Sequence, residues 1–215
     1  MTSMRSMMIP TLCSVIDDVA ALTPVDTTKA HPARLYDYYL GGKDNYAARV
    51  AYIDNDPVVT RHSQALRATN EGVVAVFGDI RRPDEILAHP GVGSVIDFTE
   101  PVAVLTVAVL HFIPDADEPS AIVKALVDRV APGSYVALSH ITGDDAEPGI
   151  VAEITAAYQG TTAPAILRSA EEITALFGGL ELVKPGRLVD VSQWRPERRA
   201  ALTSIRILAG VARKS

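Results

Sequence analysis

From Val102 to Leu110 the chain runs apolar and valine-rich, with neither the stripe of a helix nor the alternation of a half-exposed strand. Such a run predicts a strand buried on both faces. His111 to Asp115 breaks it with a polar residue, a proline and an acid. Asp117 then stands as N-cap before Ile122, Val123, Leu126, Val127 and Val130, which fall on one helical face. Ala131, Pro132 and Gly133 stop that helix, and Tyr135 to Leu138 begins a second apolar strand. Two buried strands joined by an amphipathic helix make a right-handed crossover, so the sheet is expected to be parallel at its centre. Ligands then bind beyond the strands' carboxyl ends, where His111 and Asp115 leave the first strand.

The flanking patterns extend this unit. Val50 to Ile53 predicts a short strand ending at Asp54, and Asp56-Pro57 a helix start with an acidic cap and proline at the first helical position. Gly72 to Phe77 predicts another strand, ending in Gly78-Asp79-Ile80, followed by a short helix from Pro83 to Ala88 and a turn from Pro90 to Ser94. An acid at the end of a parallel strand is where nucleotide-binding α/β folds hold ribose hydroxyls, although Asp54 serves equally well as a turn former. The same strand-then-acid pattern at Asp79 raises the expectation that both acids line one crevice. Downstream, Ile150 to Tyr158 is helical in pattern. Ser169 to Glu172 is a capping box opening a helix through Phe177 that Gly178-Gly179 closes. Leu180 to Val191 and Leu202 to Ala212 are β-type stretches expected to pair antiparallel.

A chain of 215 residues holds one α/β domain with a small appendage. The boundary falls at 48: residues 1–48 form an N-terminal helix, built on Val15, Ile16, Val19, Ala20 and Leu22, and a cap segment; residues 49–215 form the α/β domain. A formal charge of −6 leaves no basic footprint for nucleic acid. The single cysteine, Cys13, has neither a disulfide partner nor metal-ligand companions, which suits a reducing cytoplasm and a small buried side chain. The longest apolar run falls short of the ~20 residues a membrane span needs. Near the start, Pro10 and Asp17-Asp18 interrupt any signal-peptide core, so no export signal is expected.

Within the cap segment, YDYYLGGKDN at 36–45 packs tyrosines, a glycine pair and Lys43-Asp44-Asn45 into ten residues. Glycines let backbone approach a ligand and tyrosines give flat amphipathic surface, so this is a candidate binding loop; it is equally well a helix ending at Leu40 with Gly41-Gly42 as its C-cap.

Taken together, YDYYLGGKDNY, VAYIDNDPVV, GDIRRPDEIL, VAVLTVAVLHFIPD, GSYVALSHIT, RSAEEITALFGGLELVKPG and the closing QWRP and AGVARK resemble S-adenosylmethionine-dependent methyltransferases. More narrowly they are similar to an actinobacterial methyltransferase family once known only as a domain of unknown function. The resemblance runs from about residue 26 to the C-terminus with the pieces in family order. It implies a Rossmann-like, mostly parallel sheet of the class I methyltransferase type with a terminal antiparallel hairpin, and S-adenosylmethionine as cofactor. On that resemblance Asp54, with Asn55, would hold the ribose hydroxyls, Asp79 and the backbone of Ile80 the adenine edge, and Val107 and Ala108 the methionine part. Tyr36, Gly42, Lys43 and Asn45 would fold over the site.

The family begins its sheet with a strand and a glycine-rich loop, and this chain departs from it there. Asn45-Tyr46-Ala47-Ala48 passes straight into Arg49-Val50-Ala51-Tyr52, whereas a strand, loop and helix need ~30 residues. The only Gly-x-Gly, Gly91-Val92-Gly93, sits between a short helix and Val95, the wrong context for a phosphate or cofactor turn. The first strand is therefore missing, through omission or deletion of an internal segment or through divergence. The flanking strands would then pair directly or expose a hydrophobic groove.

Methyl transfer would proceed by in-line displacement onto a small-molecule acceptor, with His111 as candidate base; a histidine bonded to backbone at a strand end is the plainer account of the same residue. His140 has the same two accounts. No triad or metal spacing is present. The rivals are a dinucleotide oxidoreductase, which would need the absent glycine-rich turn, and a non-catalytic cofactor-binding or interaction protein.

Overall fold

The computed structural model describes residues 49–67, 71–158, 164–194 and 206–215. The N-terminal amphipathic helix and the YDYYLGGKDN segment lie outside these residues. The chain divides into two compact units, 1–102 and 103–215.

In the first unit, β1 (Val50–Asp54) and β2 (Val73–Phe77) pair in parallel, with Asp54 opposite Phe77. The connection is α1 (Pro57–Arg67), where the Asp56 carboxylate accepts the Val58 N–H at 2.7 Å, the acidic cap that the Asp-Pro pair predicts. Two short helices follow, α2 (Pro83–Leu87) and α3 (Pro90–Val95). The second of these corrects the turn expected at Pro90 to Ser94. Pro90 occupies the first helical position and the His89 ring nitrogen accepts the Gly91 N–H at 3.0 Å, so a capped helix wins over the turn-forming tendency of glycine. Val92 from its middle joins Val76 and Ile86 in a core that Ala51, Val74, Ile96 and Phe98 complete. Gly78 is closely packed where β2 ends: a Cβ there would lie 3.0 Å from Ile53 Cγ2 and 3.1 Å from Ile86 Cγ1.

The second unit carries β3 (Ala103–Val107), α4 (Pro119–Arg129), β4 (Tyr135–Thr142), α5 (Pro148–Tyr158), α6 (Ala170–Ala175), β5 (Glu181–Leu182), β6 (Val189–Asp190) and β7 (Arg206–Arg213). β3 and β4 pair in parallel, while β7 runs antiparallel to β4 along its whole length and takes β5 and β6 on its other side. The α/β class with a terminal antiparallel arrangement therefore holds, and the predicted hairpin is shared among three strands. β1 with β2 and β3 with β4 belong to separate sheets. Among the described residues no strand precedes β1.

Three expectations for the central unit change. β3 stops at Val107, because Ala108 adopts a left-handed φ of 54° and Leu110–Phe112 coils into a 3₁₀ turn. The strand buried on both faces is β4, not β3: Val136 to Thr142 are all buried, whereas β3 buries only Thr106 and pairs on one edge. Asp117 does not cap α4; it closes a second 3₁₀ turn, Asp115–Asp117. Glu118 is the N-cap, with φ 49°, and its carbonyl accepts from Ala121 and Ile122. Pro119 at the first helical position sets that entry. The predicted helix face is confirmed, with Ile122, Val123, Leu126, Val127 and Val130 all buried. At its far end Lys214 Nζ donates to the carbonyls of Val127 and Val130, both at 2.8 Å, satisfying groups the helix leaves open.

The Ser169 capping box is present in both directions, and Gly178 and Gly179, at φ 61° and 82°, end the α6 segment. The turn seats Phe177 under β7. At Gly210 a Cβ would lie 2.9 Å from Leu188 Cδ2 and 3.1 Å from Phe177 Cζ, so any side chain at this strand position must push those two aside.

Candidate active site

The first unit presents the carboxyl ends of two adjacent parallel strands. Asp54 closes β1; its Oδ1 accepts the Asp56 N–H at 2.8 Å, and its backbone oxygen accepts from Gly78 N–H at 3.0 Å and Thr60 Oγ1 at 3.2 Å. The turn-former account of Asp54 is thus realised with one carboxylate oxygen. The other, Oδ2, accepts nothing among the described residues, so a ligand role stays open. Asn55 follows, exposed, at the bend.

Two residues beyond the paired end of β2, Asp79 is held by Arg81, whose Nε lies 3.0 Å from each carboxylate oxygen and whose backbone N–H donates to Oδ1 at 3.0 Å. These bonds, the side-chain one first, hold the Asp79 carboxyl below its ordinary 3.8. Arg82 pairs with Glu85 at 3.2 Å, while Arg81 is a partner of Asp79. The backbone N–H of Ile80 donates to no acceptor among the described residues. Asp54, Asn55, Asp79 and Ile80 are therefore brought to one edge of one small sheet.

The second unit gathers another set where β3 and β4 end. Val107 is the last residue of β3, paired with Ser139 of β4. Ala108 turns away, and its N–H donates to Ser139 Oγ at 3.0 Å. His111 is buried at 5 % exposure, its backbone oxygen accepting the Ile166 N–H at 2.7 Å. Its ring nitrogen Nδ1 is buried without a hydrogen-bond partner among the described residues. The ring meets His140 edge-on with centroids 5.5 Å apart, and its neighbour Phe112 meets Tyr158 of α5 at 5.6 Å. Burial first, then the charge and dipoles of His140 and Arg168, lowers the His111 pKa from 6.5 to about 4, so the imidazole is neutral at physiological pH.

Arg168 organises this cluster, and sequence reasoning missed it. Its side chain is buried, yet it reaches the carbonyls of Leu110 at 3.1 Å and Ile113 at 2.8 Å, the Asp115 carboxylate through Nε at 3.2 Å, and His140 Nε2 at 2.8 Å. The available signal was a lone arginine at the end of the apolar run Ala165-Ile166-Leu167, immediately before a capping box. Tyr36, Gly42, Lys43 and Asn45 lie outside the described residues.

The family model described as S-adenosyl methyltransferase matches in two blocks, 18–49 and 47–215, which meet where the sequence lacks a strand and glycine-rich loop. No curated protein matches the chain. Among solved structures, it is similar to a provisionally described methyltransferase from Thermobifida fusca YX, at 29% identity and TM-score 0.75 over 96% of this chain and 80% of that one. A DUF574 family protein from Streptomyces avermitilis MA-4680 is 28% identical with TM-score 0.72, over 89% of this chain and 100% of that one. TehB from Haemophilus influenzae, 14% identical over 94% of this chain and 61% of that one, shares the fold at TM-score 0.54. Since the family match takes in nearly all of the sequence, the chain belongs to the S-adenosyl methyltransferase family.

Proposed function

We propose that this protein transfers the methyl group of S-adenosylmethionine to a small-molecule acceptor, in the cytoplasm, with residues 1–48 serving as a cap on the domain formed by 49–215. The observation that carries this is the edge of the first unit's sheet, where a carboxylate oxygen on Asp54 and an N–H on Ile80, neither with a partner among the described residues, stand at the ends of adjacent parallel strands. A carboxylate suits two ribose hydroxyls, and a main-chain donor beside Asp79 suits an adenine ring nitrogen. Asn55 assists Asp54, and Asp79 takes the adenine amino group while shared with Arg81.

When bound, the cofactor supplies an electrophilic methyl on a sulfonium, and the chain's task is positioning. Val107 and Ala108 border the methionine part, with Tyr36, Gly42, Lys43 and Asn45 covering it. In the absence of a glycine-rich turn, Asp54 and Ile80 set most of the affinity. His111 accepts the acceptor's proton at Nδ1, which has no partner among the described residues; its pKa, lowered to about 4, keeps the ring neutral and makes it a weak base. A negative chain supports a small-molecule acceptor over nucleic acid.

Isothermal titration with S-adenosylmethionine and S-adenosylhomocysteine tests the proposal. Saturable heats are expected for both; heats at the noise level with folded protein would overturn it.

A further inference from the structure

Arg168 joins elements that are far apart in sequence. Its guanidinium donates to two carbonyls of the turn after β3, to Asp115 in the next turn and to His140 on β4, which is 28 residues away. A guanidinium only donates. His140 Nε2 must therefore be the acceptor in the 2.8 Å contact, and it carries no proton. The other ring nitrogen, Nδ1, sits 2.6 Å from the Ile141 carbonyl, which only accepts, so the proton belongs there. The Leu110 carbonyl also lies beside the His140 ring and by itself favours the protonated ring. It is already served by Arg168 Nη1. The contacts that His140 makes to Arg168 and Ile141 are both matched by one arrangement, the neutral Nδ1–H form of His140.

We propose that Arg168 is a positioning residue that locks His140 in the Nδ1–H tautomer and thereby holds a neutral imidazole perpendicular to the ring of His111. A proton on His140 Nε2 would point at the guanidinium, so the clamp excludes it. The charged and titratable groups facing the pair are Arg168 from the segment before α6, Asp115 from the turn after β3, and each histidine for the other. The same clamp fixes the path of Leu110 to Asp115, the segment that carries His111. This inference rests on His111 as the base in the proposed reaction, but the state of His140 can be read without cofactor or acceptor.

Long-range ¹⁵N–¹H spectra of the full chain labelled on histidine nitrogens test it. In the wild type His140 is expected to show a protonated-type Nδ1 and an unprotonated Nε2 from neutral pH into the acidic range. In Arg168→Met that pattern should collapse to exchange between tautomers, and His140 should titrate close to an ordinary histidine. Arg168→Lys should keep a donor on Nε2 and so keep the tautomer while loosening the carbonyl contacts. A wild-type His140 protonated on Nε2 would overturn the proposal even if neither variant folds. So would an Arg168→Met protein that keeps the wild-type pattern. Failure to bind S-adenosylmethionine would strike the proposed function and leave this assignment standing.

Discussion

The main-chain N–H of Ala108 donates to the Ser139 hydroxyl at 3.0 Å, and this bond fastens a left-handed alanine to the neighbouring strand. A non-glycine residue at that φ is strained by about 1–2 kcal/mol. The strain lies where β3 gives way to the turn that carries His111. Ser139→Ala should therefore destabilise the fold by about 1–2 kcal/mol, measured by urea unfolding. The loss should be smaller in the Ala108→Gly background, where the backbone can relax. Strictly additive effects would show that the two residues are uncoupled.

Asp54 offers a cleaner separation of structure from binding. Asp54→Asn keeps an oxygen for the Asp56 N–H but removes the charge, whereas Asp54→Ala removes both. Each should weaken S-adenosylmethionine binding by about 1.5–3 kcal/mol if charged hydrogen bonds to the ribose form. Only the alanine variant should also lower stability. Calorimetric affinity equal to wild type in a folded Asp54→Asn protein would remove Asp54 from the ribose role.

The histidine pair dictates an acid limit. Burial is the first cause for both, and it lowers the pKa of His111 and His140 from 6.5 to about 4. The unfolded chain takes up these protons near 6.5 while the folded chain waits until about 4. Between those values the unfolded state binds more protons, and stability falls as pH falls. The contribution is complete above 6.5 and is lost progressively towards 4, with a slope of up to about 1.4 kcal/mol per pH unit for each histidine. Urea midpoints across this window should flatten by about one proton's worth in His111→Phe. A wild-type profile already flat there would contradict the buried neutral pair.

Gly210→Ala tests the packing under β7. The new methyl would meet Leu188 and Phe177 inside van der Waals contact, so a loss of about 1–3 kcal/mol is expected from overpacking. A companion Phe177→Leu substitution should recover part of it, as read by the thermal midpoint.

Several features were legible because they are local. The buried face of α4 follows from spacing of three and four residues, the Ser169 capping box from one turn of sequence, and the start of α1 from Asp56-Pro57. The places of Asp54 and Asp79 were readable as acids following apolar strands. Where local rules competed, the expectation slipped. Asp117 has the chemistry of an N-cap, yet Pro119 moved the helix entry to Glu118, and glycines that suggested a turn were absorbed into capped α3.

The sequence by itself determined the α/β class, the family and the absence of a first strand and glycine-rich loop between Asn45 and Arg49, since each is a matter of order and spacing along the chain. Only the tertiary structure decided that β4 is the buried strand, that β3 ends at a strained Ala108 and that Arg168 governs the histidines. Arg168 and the Leu110 carbonyl are 58 residues apart, and periodicity carries no information at that range. Which buried donor finds which acceptor depends on the path of the chain, and a guanidinium removed from water must find them all.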